Sequence, residues 1–494
     1  MTITQLFKQR FTLYDTAHQS HLTYAINVPN DIEALEIDFQ YGPIYEANRA
    51  SIERSLLKEG LPVDTLTPDT RIRNLLTLSV DDPQGFRGAH HLFDPHQTIR
   101  LSPDEASLGF IAGDISAGTW EITISCHGVF SDEVTGQLTL SAHSQRAPKT
   151  QRDSPLSQTN PEPTGKIRPL AAHALGLNYQ KIELHAHTTH SDASQTTREI
   201  VQEASSIGLD WLAITDHNTV TAHFDILEEK VAIPQGLKLV AGIEYTTFYG
   251  HFLVHGALDH LLLNWTKVNL GNVSDYLAQL KQAPLNITIA HPFDEGNPYC
   301  TGCRWDFNLP TLRHVDSLEV WNGTNPHRSL ANQEAFEKWT HLLADGYEIN
   351  ASYGRDWHRP TDEQFAFTYV LLPEGASEAD LLAALNLGRT YVSLRPVIKE
   401  LIVNEQYYLG DRFVDDQLAT WQIRFRLADL NSGDSLKIYS EAGLVREISL
   451  EDTQALDRPL LVEVEDQGYR LLRFEILNAA KERLAFTNPI YRQL

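Results

Sequence analysis

The sequence predicts an α/β fold in which a largely parallel β/α domain lies between two antiparallel β domains. The first observation behind this prediction is a change of rhythm: apolar and polar residues alternate near both ends of the chain, whereas short apolar runs alternate with helical segments in the middle. The second is length, because 494 residues exceed one ordinary core and suggest about three domains.

The composition is that of a folded globular protein, with 42% hydrophobic and 21% charged residues. The 40 basic and 65 acidic side chains give a formal net charge of −25, which repels nucleic acid and anionic membranes. We therefore expect a small-molecule substrate as the partner, with no nucleic acid and no membrane; the oligomeric state is left unknown. The N-terminal residues do not resemble a secretory signal and no run is long enough to span a membrane, so the expected location is cytoplasmic.

The chain has three cysteines, Cys126, Cys300 and Cys303. Three cysteines exclude a disulfide framework, and the close pair Cys300/Cys303 has no second pair with which to complete a structural zinc site. The pair alone is therefore a weak signal for metal or redox chemistry.

Residues 1–143 are predicted to form a β-sandwich domain because apolar side chains recur at every second position. The alternating residues are Leu35, Ile37, Phe39, Tyr41, Trp120, Ile122 and Ile124. Within this region, residues 48–61 are either an insertion or a helix. A linker is predicted at 144–175, because its Ser, Gln, Pro, Lys and Thr residues cannot bury enough apolar surface to fold alone.

Residues 176–396 are predicted to form the β/α domain. Its apolar runs are 182–187, 211–215, 237–244, 252–256, 286–290, 317–321, 348–353 and 368–372. Its helical segments are 197–207, 273–282, 328–343 and 378–387. After Pro396 the two-residue period returns, so residues 397–494 are predicted to form a second, small β-sandwich domain.

Two histidines end the first apolar run of the β/α domain. In an extended strand, residues two apart point to the same side, so His185 and His187 are predicted to project together toward one point. Histidine pairs at this spacing are also common on solvated surfaces. Their interpretation therefore depends on the other strand ends.

Polar side chains follow several other predicted strands, where the loops of a β/α barrel converge on one face. They are Asp192, Asp216, His217, Glu244, His251, His291, Asp356 and His358. One histidine after a buried strand is more often a hydrogen-bonded turn residue than a ligand, but several such ends together favour a metal site. Nitrogen and carboxylate ligands without thiolate suit Zn, Mn or Fe, and a cluster of two or three ions needs a bridging carboxylate.

Five stretches resemble the PHP (polymerase and histidinol phosphatase) superfamily, over residues 178–395. They are His185-Ala186-His187 with Asp192, Thr215-Asp216-His217-Asn218, Gly242-Ile243-Glu244, Ala290-His291-Pro292 and Asp356-Trp357-His358. Three more stretches resemble the branch of this superfamily that includes carbaryl hydrolase. They are Gly250-His251, Glu319-Val320-Trp321-Asn322-Gly323 and Thr487-Asn488-Pro489-Ile490-Tyr491.

The resemblance implies a distorted (β/α)7 PHP barrel with a cluster of two or three divalent metal ions, Zn, Mn or Fe. It implies that His185, His187 and Asp356 hold a first ion and that Glu244 bridges it to a second ion. The second ion would be bound by His251 and His291, and a third by Asp192, His217 and His358. His190 is close enough in sequence to replace Asp192.

The sequence departs from the usual pattern by placing Arg355 where a small serine is expected. Arg355, together with Arg304 and Arg328 in loops beyond strand ends, can clamp a phosphate with paired N–H donors; alternatively Arg355 forms an ion pair with a carboxylate. The loop 295–305 is either a wall over the pocket or an ordinary surface excursion. The leaving group can receive its proton from His217 if the third metal site is empty, from His223, or from a metal-bound water.

We therefore predict a metal-dependent hydrolase, most simply a phosphoesterase acting on a small molecule, with His217 and Arg355 in catalytic roles. A second hypothesis keeps the metals and makes the scissile bond a carbamate, an amide or an acyl ester. A third is a non-catalytic binding protein whose sandwiches bind a polymer or a protein.

Overall fold

The computed structural model describes residues 2–64, 66–144, 176–261, 264–307, 313–450 and 459–493. Two four-stranded antiparallel sheets form the N-terminal unit, with strand orders β1-β10-β3-β8 and β2-β9-β6-β7. The strands are β1 (Thr2–Leu13), β2 (Ser20–Val28), β3 (Ala34–Gly42), β4 (Tyr45–Glu46), β5 (Ile72–Arg73), β6 (Leu75–Asp82), β7 (Gly85–His90), β8 (His96–Leu101), β9 (Gly118–Gly128) and β10 (Val134–Ser144). β4 and β5 pair as a separate two-stranded sheet.

One apolar cluster joins the inner faces of the two sheets. Ile37 and Phe39 of β3 meet Ile122 and Ile124 of β9 in this cluster, as expected from the alternation of their side chains. Residues 48–61, left open between an insertion and a helix, contain the helix α1 (Arg49–Lys58). Asn48 begins it, because its side-chain oxygen accepts hydrogen bonds from two backbone N–H groups of the first turn. Of the predicted linker, residues 145–175 lie outside the described residues.

The central region is a mixed sheet with helices between several strands. Its strands are β11 (Leu177–Glu183), β12 (Trp211–Ile214), β13 (Lys238–Thr246), β14 (His251–His255), β15 (Asn286–Ile289), β16 (Ser317–Asn322), β17 (Asn350–Gly354), β18 (Phe367–Pro373) and β19 (Thr390–Ser393). Its helices are α2 (Thr197–Ser206), α3 (Thr221–Leu227), α4 (Val273–Leu280), α5 (Leu330–Ala344) and α6 (Glu378–Leu387). The apolar runs predicted from the sequence overlap β11 to β18, although the run 182–187 shares only its first two residues with β11. The elements α3 and β19 were not predicted.

The described residues contain no closed (β/α)7 barrel. The strand order runs β17-β16-β15-β14-β13-β12-β11-β18-β19, and no ladder joins β17 to β11 or β18 within the described part of the chain. The pairs β13–β14, β14–β15 and β11–β18 are antiparallel. The reason at β13–β14 is local: only residues 247–250 separate these strands, and a parallel return needs a crossover of a dozen residues or more.

The first strand of this region ends earlier than the sequence indicated. β11 stops at Glu183, so His185 and His187 follow the strand instead of lying within it. Ala186 between them forms an isolated parallel bridge with Trp357. The His187 backbone N–H also donates to the Trp357 carbonyl oxygen, which fixes this segment beside the end of β17.

The C-terminal strands continue the central sheet. They are β20 (Val397–Val403), β21 (Arg412–Val414), β22 (Thr420–Ala428), β23 (Ser435–Ser440), β24 (Gly443–Ser449), β25 (Leu460–Glu465), β26 (Leu471–Leu477), β27 (Arg483–Thr487) and β28 (Ile490–Gln493). β27 pairs with β19, and the separate sheet β20-β22-β25 shares an apolar cluster with β23 and β26. The hydrogen-bonded sheet thus continues across residue 396, where the sequence predicted a boundary between two domains. That division into domains stays a prediction.

Asn488 in the C-terminal motif ties this unit to the central sheet. Its side chain accepts a hydrogen bond from the Ala351 N–H at 2.7 Å and donates to the Ala351 carbonyl at 3.0 Å. The amide thus satisfies both backbone groups of one residue in β17. None of the described helices is both long enough and apolar enough to cross a membrane.

Candidate metal centre

Nine of the predicted site residues converge at one end of the central sheet. Each forms part of a group whose nitrogen and oxygen atoms lie within 4.8 Å of one another. The groups are His185/His187/Asp356, His185/Glu244/His291, His217/Glu244/His251 and His187/Asp192/His217/His358. The residues assigned to the first and third ions are therefore found together, and Glu244 belongs to two groups.

Glu244 is fully buried near the end of β13, and histidine nitrogens surround its carboxylate. Their distances to a carboxylate oxygen are 2.8 Å for His217 Nδ1, 3.0 Å for His251 Nδ1, 3.1 Å for His291 Nε2, and 3.4 Å for both His185 Nε2 and His187 Nε2. A carboxylate with imidazoles on both oxygens has the arrangement that a ligand bridging two ions requires.

Asp356 and Asp192 extend the cluster on the side of His187. Asp356 Oδ1 lies 3.1 Å from His187 Nε2 and 3.3 Å from His185 Nε2. Asp192 Oδ1 lies 3.1 Å from His358 Nε2 and 3.5 Å from His217 Nε2. The two carboxylates thus face separate corners of one connected cluster.

The alternative in which His190 replaces Asp192 is not what the structure contains. His190 Nδ1 lies 2.8 Å from the Thr221 hydroxyl, and its Nε2 lies 3.0 Å from Asp225 Oδ2. Both ring nitrogens are therefore engaged away from the cluster. Asp216, also at a strand end, accepts hydrogen bonds from Thr188 and holds the loop after the first histidines.

Glu319 in β16 orients His185 from outside the cluster. Its Oε1 lies 3.1 Å from His185 Nδ1, so His185 presents Nε2 to the cluster. Glu319 Oε2 accepts hydrogen bonds from the His291 backbone N–H and from Asn322 Nδ2, each at 2.9 Å. The sequence analysis included Glu319 in a motif but assigned no role to this residue. The signal that could have identified its role is a carboxylate inside an apolar run, on the strand next to the one that precedes His291.

Buried atoms without hydrogen-bond partners show that this cluster fits metal ions. The predicted-ligand atoms that no well-aligned hydrogen bond satisfies are His185 Nε2, both ring nitrogens of His187, Asp192 Oδ1, Glu244 Oε2, His251 Nε2 and Asp356 Oδ1. Several of these nitrogens and oxygens lie 3.1–3.4 Å apart without hydrogen-bond geometry. Leaving a buried polar atom unpaired costs about 1–3 kcal/mol, so such a concentration needs a ligand. Imidazole nitrogens and carboxylate oxygens are the donors that Zn, Mn and Fe accept.

The carboxylates of the cluster shift the pKa values of the histidines beside them. Burial alone would lower the pKa of His291, but Glu244 raises it to about 9. Burial likewise opposes the charge of His358, but Asp356 and then Asp192 raise its pKa to about 10. Burial raises the pKa of Glu244, whereas the surrounding histidines lower it well below its ordinary value. Without metal, these carboxylates therefore retain protons on neighbouring imidazoles.

A cavity of about 450 Å³ opens onto the cluster, and the N-terminal unit forms part of its wall. The predicted ligands that line it are Asp192, His217, His251, His291, Asp356 and His358. The loop predicted as a wall or a surface excursion lines it through Pro298, Tyr299, Cys300, Thr301 and Cys303, and the two cysteines form a disulfide. The N-terminal unit supplies Arg73, Leu75, His91, Phe93, Gly128 and Phe130, none of which sequence reasoning had singled out.

The arginines predicted as phosphate clamps lie elsewhere. The guanidinium of Arg355 is buried with its carbon 4.0 Å from the ring centres of both Trp357 and Phe365, and Arg355 is not among the described residues that line the cavity. Arg304 forms an ion pair with exposed Glu334, and Arg328 forms one with half-buried Glu482. We therefore do not assign a phosphate clamp to Arg355.

His223 is also separated from the cavity lining. Its Nε2 lies 3.0 Å from the Ile214 carbonyl oxygen, inside the sheet. His217, in contrast, lines the cavity, with Nδ1 near Glu244 and Nε2 near Asp192. Of the two histidines considered as proton donors, only His217 faces the cavity.

In comparison with known proteins, the family model of the PHP domain matches residues 183–353. Two curated relatives, both named 5'-3' exoribonuclease Rnm and from Escherichia coli and Salmonella typhimurium, are 37% identical over 79 residues, which is 16% of this chain. The chain spans only 27% of the length of each.

A solved two-domain protein from Bacteroides vulgatus, described as containing a predicted PHP-like metal-dependent phosphoesterase, is 21% identical, with a TM-score of 0.39. That comparison covers 64% of this chain and 96% of the other. The PHP domain and the histidine and carboxylate groups together fit a metal-dependent hydrolase.

Proposed function

We propose that this chain is a metal-dependent phosphoesterase that hydrolyses a small phosphate ester at a polynuclear centre around Glu244. The observation that carries the proposal is the position of Glu244, whose two oxygens face different sets of imidazoles. When bound, divalent ions at such a site lower the pKa of water and offset the charge on the reacting group.

The residues of the chain have separable tasks in this proposal. Glu244 holds two sites close together, and Glu319 fixes the ring of His185 so that Nε2 faces the cluster. His217 lines the cavity and is the residue we assign to proton transfer to the leaving group when it is not itself a ligand. A cavity of about 450 Å³ suits a small molecule.

Release of inorganic phosphate from p-nitrophenyl phosphate, with no hydrolysis of p-nitrophenyl acetate, tests this proposal. His185→Ala should abolish phosphate release, and His341→Ala, at an exposed position of α5, is the matched control. Hydrolysis of the acyl ester alone would favour the carbamate, amide or ester alternative. If His185→Ala left every activity in a broad hydrolase screen unchanged, the enzyme proposal would fail and a binding role would replace it.

The similarity to the 5'-3' exoribonuclease Rnm proteins favours RNA as a second candidate substrate. The net charge of −25 opposes extended contact with a polyanion, so only the end of a strand is compatible with the cavity. Digestion of a 5′-phosphorylated oligoribonucleotide tests it: release of mononucleotides supports RNA, and an intact strand beside cleaved p-nitrophenyl phosphate supports the small molecule.

A further inference from the structure

The N-terminal unit is held against the metal centre by hydrogen bonds between side chains and backbone groups. The Gly109 N–H donates to the Thr221 hydroxyl at 3.1 Å, and the Thr219 hydroxyl donates to the Gly109 carbonyl at 2.9 Å. The indole N–H of Trp265 donates to Ser79 at 3.1 Å. These bonds join β6 and the loop after β8 to the central region, so the wall that this unit forms is fixed in position.

His91 is the point at which the N-terminal unit meets the predicted ligands. Its ring centre lies 4.7 Å from that of His217, and the side chain is buried. Phe93, two residues further, packs against His91 with the ring centres 6.1 Å apart and the ring planes at 71°. The N-terminal unit therefore extends from the metal ligands outward along the cavity.

Arg73 ends this line of contacts. Its guanidinium carbon lies 4.1 Å from the centre of the Phe93 ring and 5.4 Å from that of Tyr45, and it donates a hydrogen bond to the Tyr45 hydroxyl at 3.0 Å. Among the described residues, no carboxylate lies within ion-pair distance of Arg73, although the chain is strongly acidic. A stacked guanidinium loses little freedom when it binds an anion, because its planar fork is already oriented.

Arg73 is also the arginine that faces this cavity among the described residues. Arg304, Arg328 and Arg355 do not line it. The cation and the metal ligands thus lie on the wall of one cavity, with the rings of Phe93 and His91 between them.

We propose that Arg73 and Phe93 form a second anion-binding subsite, so that the substrate is a phosphate ester carrying another anionic group away from the scissile bond. This inference rests on the proposed function for the reacting phosphate. The second anion can be a carboxylate or a phosphate, since guanidinium recognises both with paired N–H donors.

Matched aryl phosphates test the subsite: phenyl phosphate, 4-carboxyphenyl phosphate and hydroquinone bisphosphate. Because Arg73→Met removes a charge-assisted hydrogen bond to the second anion, we expect it to raise KM roughly 10- to 100-fold for the two doubly anionic compounds. KM and kcat for phenyl phosphate should not change. The carboxylate and bisphosphate arms show which second anion is preferred. Arg73→Lys should recover only part of the loss, and Arg49→Met, on the exposed face of α1, is the control.

Binding measured by calorimetry separates this inference from the proposed function. Phenylphosphonate and 4-carboxyphenylphosphonate are not hydrolysed, and we expect Arg73→Met to weaken only the carboxylated compound. The same Arg73-dependent binding without hydrolysis of any phosphate ester would reject the phosphoesterase and retain the subsite. Equal affinities of both phosphonates in the wild type and in Arg73→Met, or no binding of either, would overturn the subsite.

Discussion

Replacing Glu319 with Gln should weaken metal binding without altering any predicted ligand. One oxygen of Glu319 faces His185 Nδ1 at 3.1 Å, and the other accepts from the His291 N–H and Asn322 Nδ2 at 2.9 Å. A Gln side chain of the same shape has one acceptor oxygen, so its NH2 group must face a donor in either orientation. One buried donor is then left unpaired, at a cost of about 1–3 kcal/mol.

The loss falls on metal affinity because Glu319 sets the orientation of His185. Removing such an outer partner typically lowers metal affinity by roughly 10- to 100-fold. We expect a decrease of this size when apo-protein is titrated with Zn²⁺ in the presence of a competing chelator. Glu334→Gln, which changes an exposed carboxylate on α5, is the control. An affinity of Glu319→Gln within twofold of the wild type would refute the assigned role of Glu319.

Metal affinity should rise with pH, because the pKa values of His291 and His358 are raised to about 9 and 10 and the protons on these rings must leave when metal binds. In Zn²⁺ titrations from pH 6 to 8, we expect the affinity to increase about tenfold per pH unit for each displaced proton, and an affinity independent of pH would contradict this prediction. Arg355→Met should lower the unfolding temperature and leave KM for p-nitrophenyl phosphate unchanged, because the guanidinium packs against Trp357 and Phe365 in two buried cation–π contacts that contribute about 2 kcal/mol. A large rise in KM with an unchanged unfolding temperature would instead support Arg355 as a phosphate-binding residue.

The sequence was sufficient for the cluster because its members follow apolar runs that can be identified locally. His291 lies two residues beyond the end of β15, and Glu244 lies near the end of β13, so recognising the strands also located these side chains. The error in the predicted end of β11 did not affect the site prediction. β11 ends at Glu183, yet His185 and His187 still face the cluster, because the bridge between Ala186 and Trp357 holds their segment beside the end of β17.

The sequence could not indicate which side chains beside the ligands face the cavity. Arg355 precedes Asp356 directly after β17, where Asp356 adopts a positive φ of 49°, so the chain turns between the two side chains. Arg355 packs among aromatic rings, whereas Asp356 faces the histidines. Arg73 and His91 lie about a hundred residues or more from the first predicted ligand, and only the docking of the N-terminal unit brings them to the cavity. Such contacts between separate units leave no local pattern.

The metal content of the purified and reconstituted protein tests the central claim most directly. We predict two or three divalent transition-metal ions per chain in the wild type and at least one fewer in Glu244→Gln, since Glu244 faces imidazoles on both of its oxygens. A wild-type protein that holds less than one ion per chain, or a Glu244→Gln variant that holds as many ions as the wild type, would contradict a polynuclear centre built around Glu244.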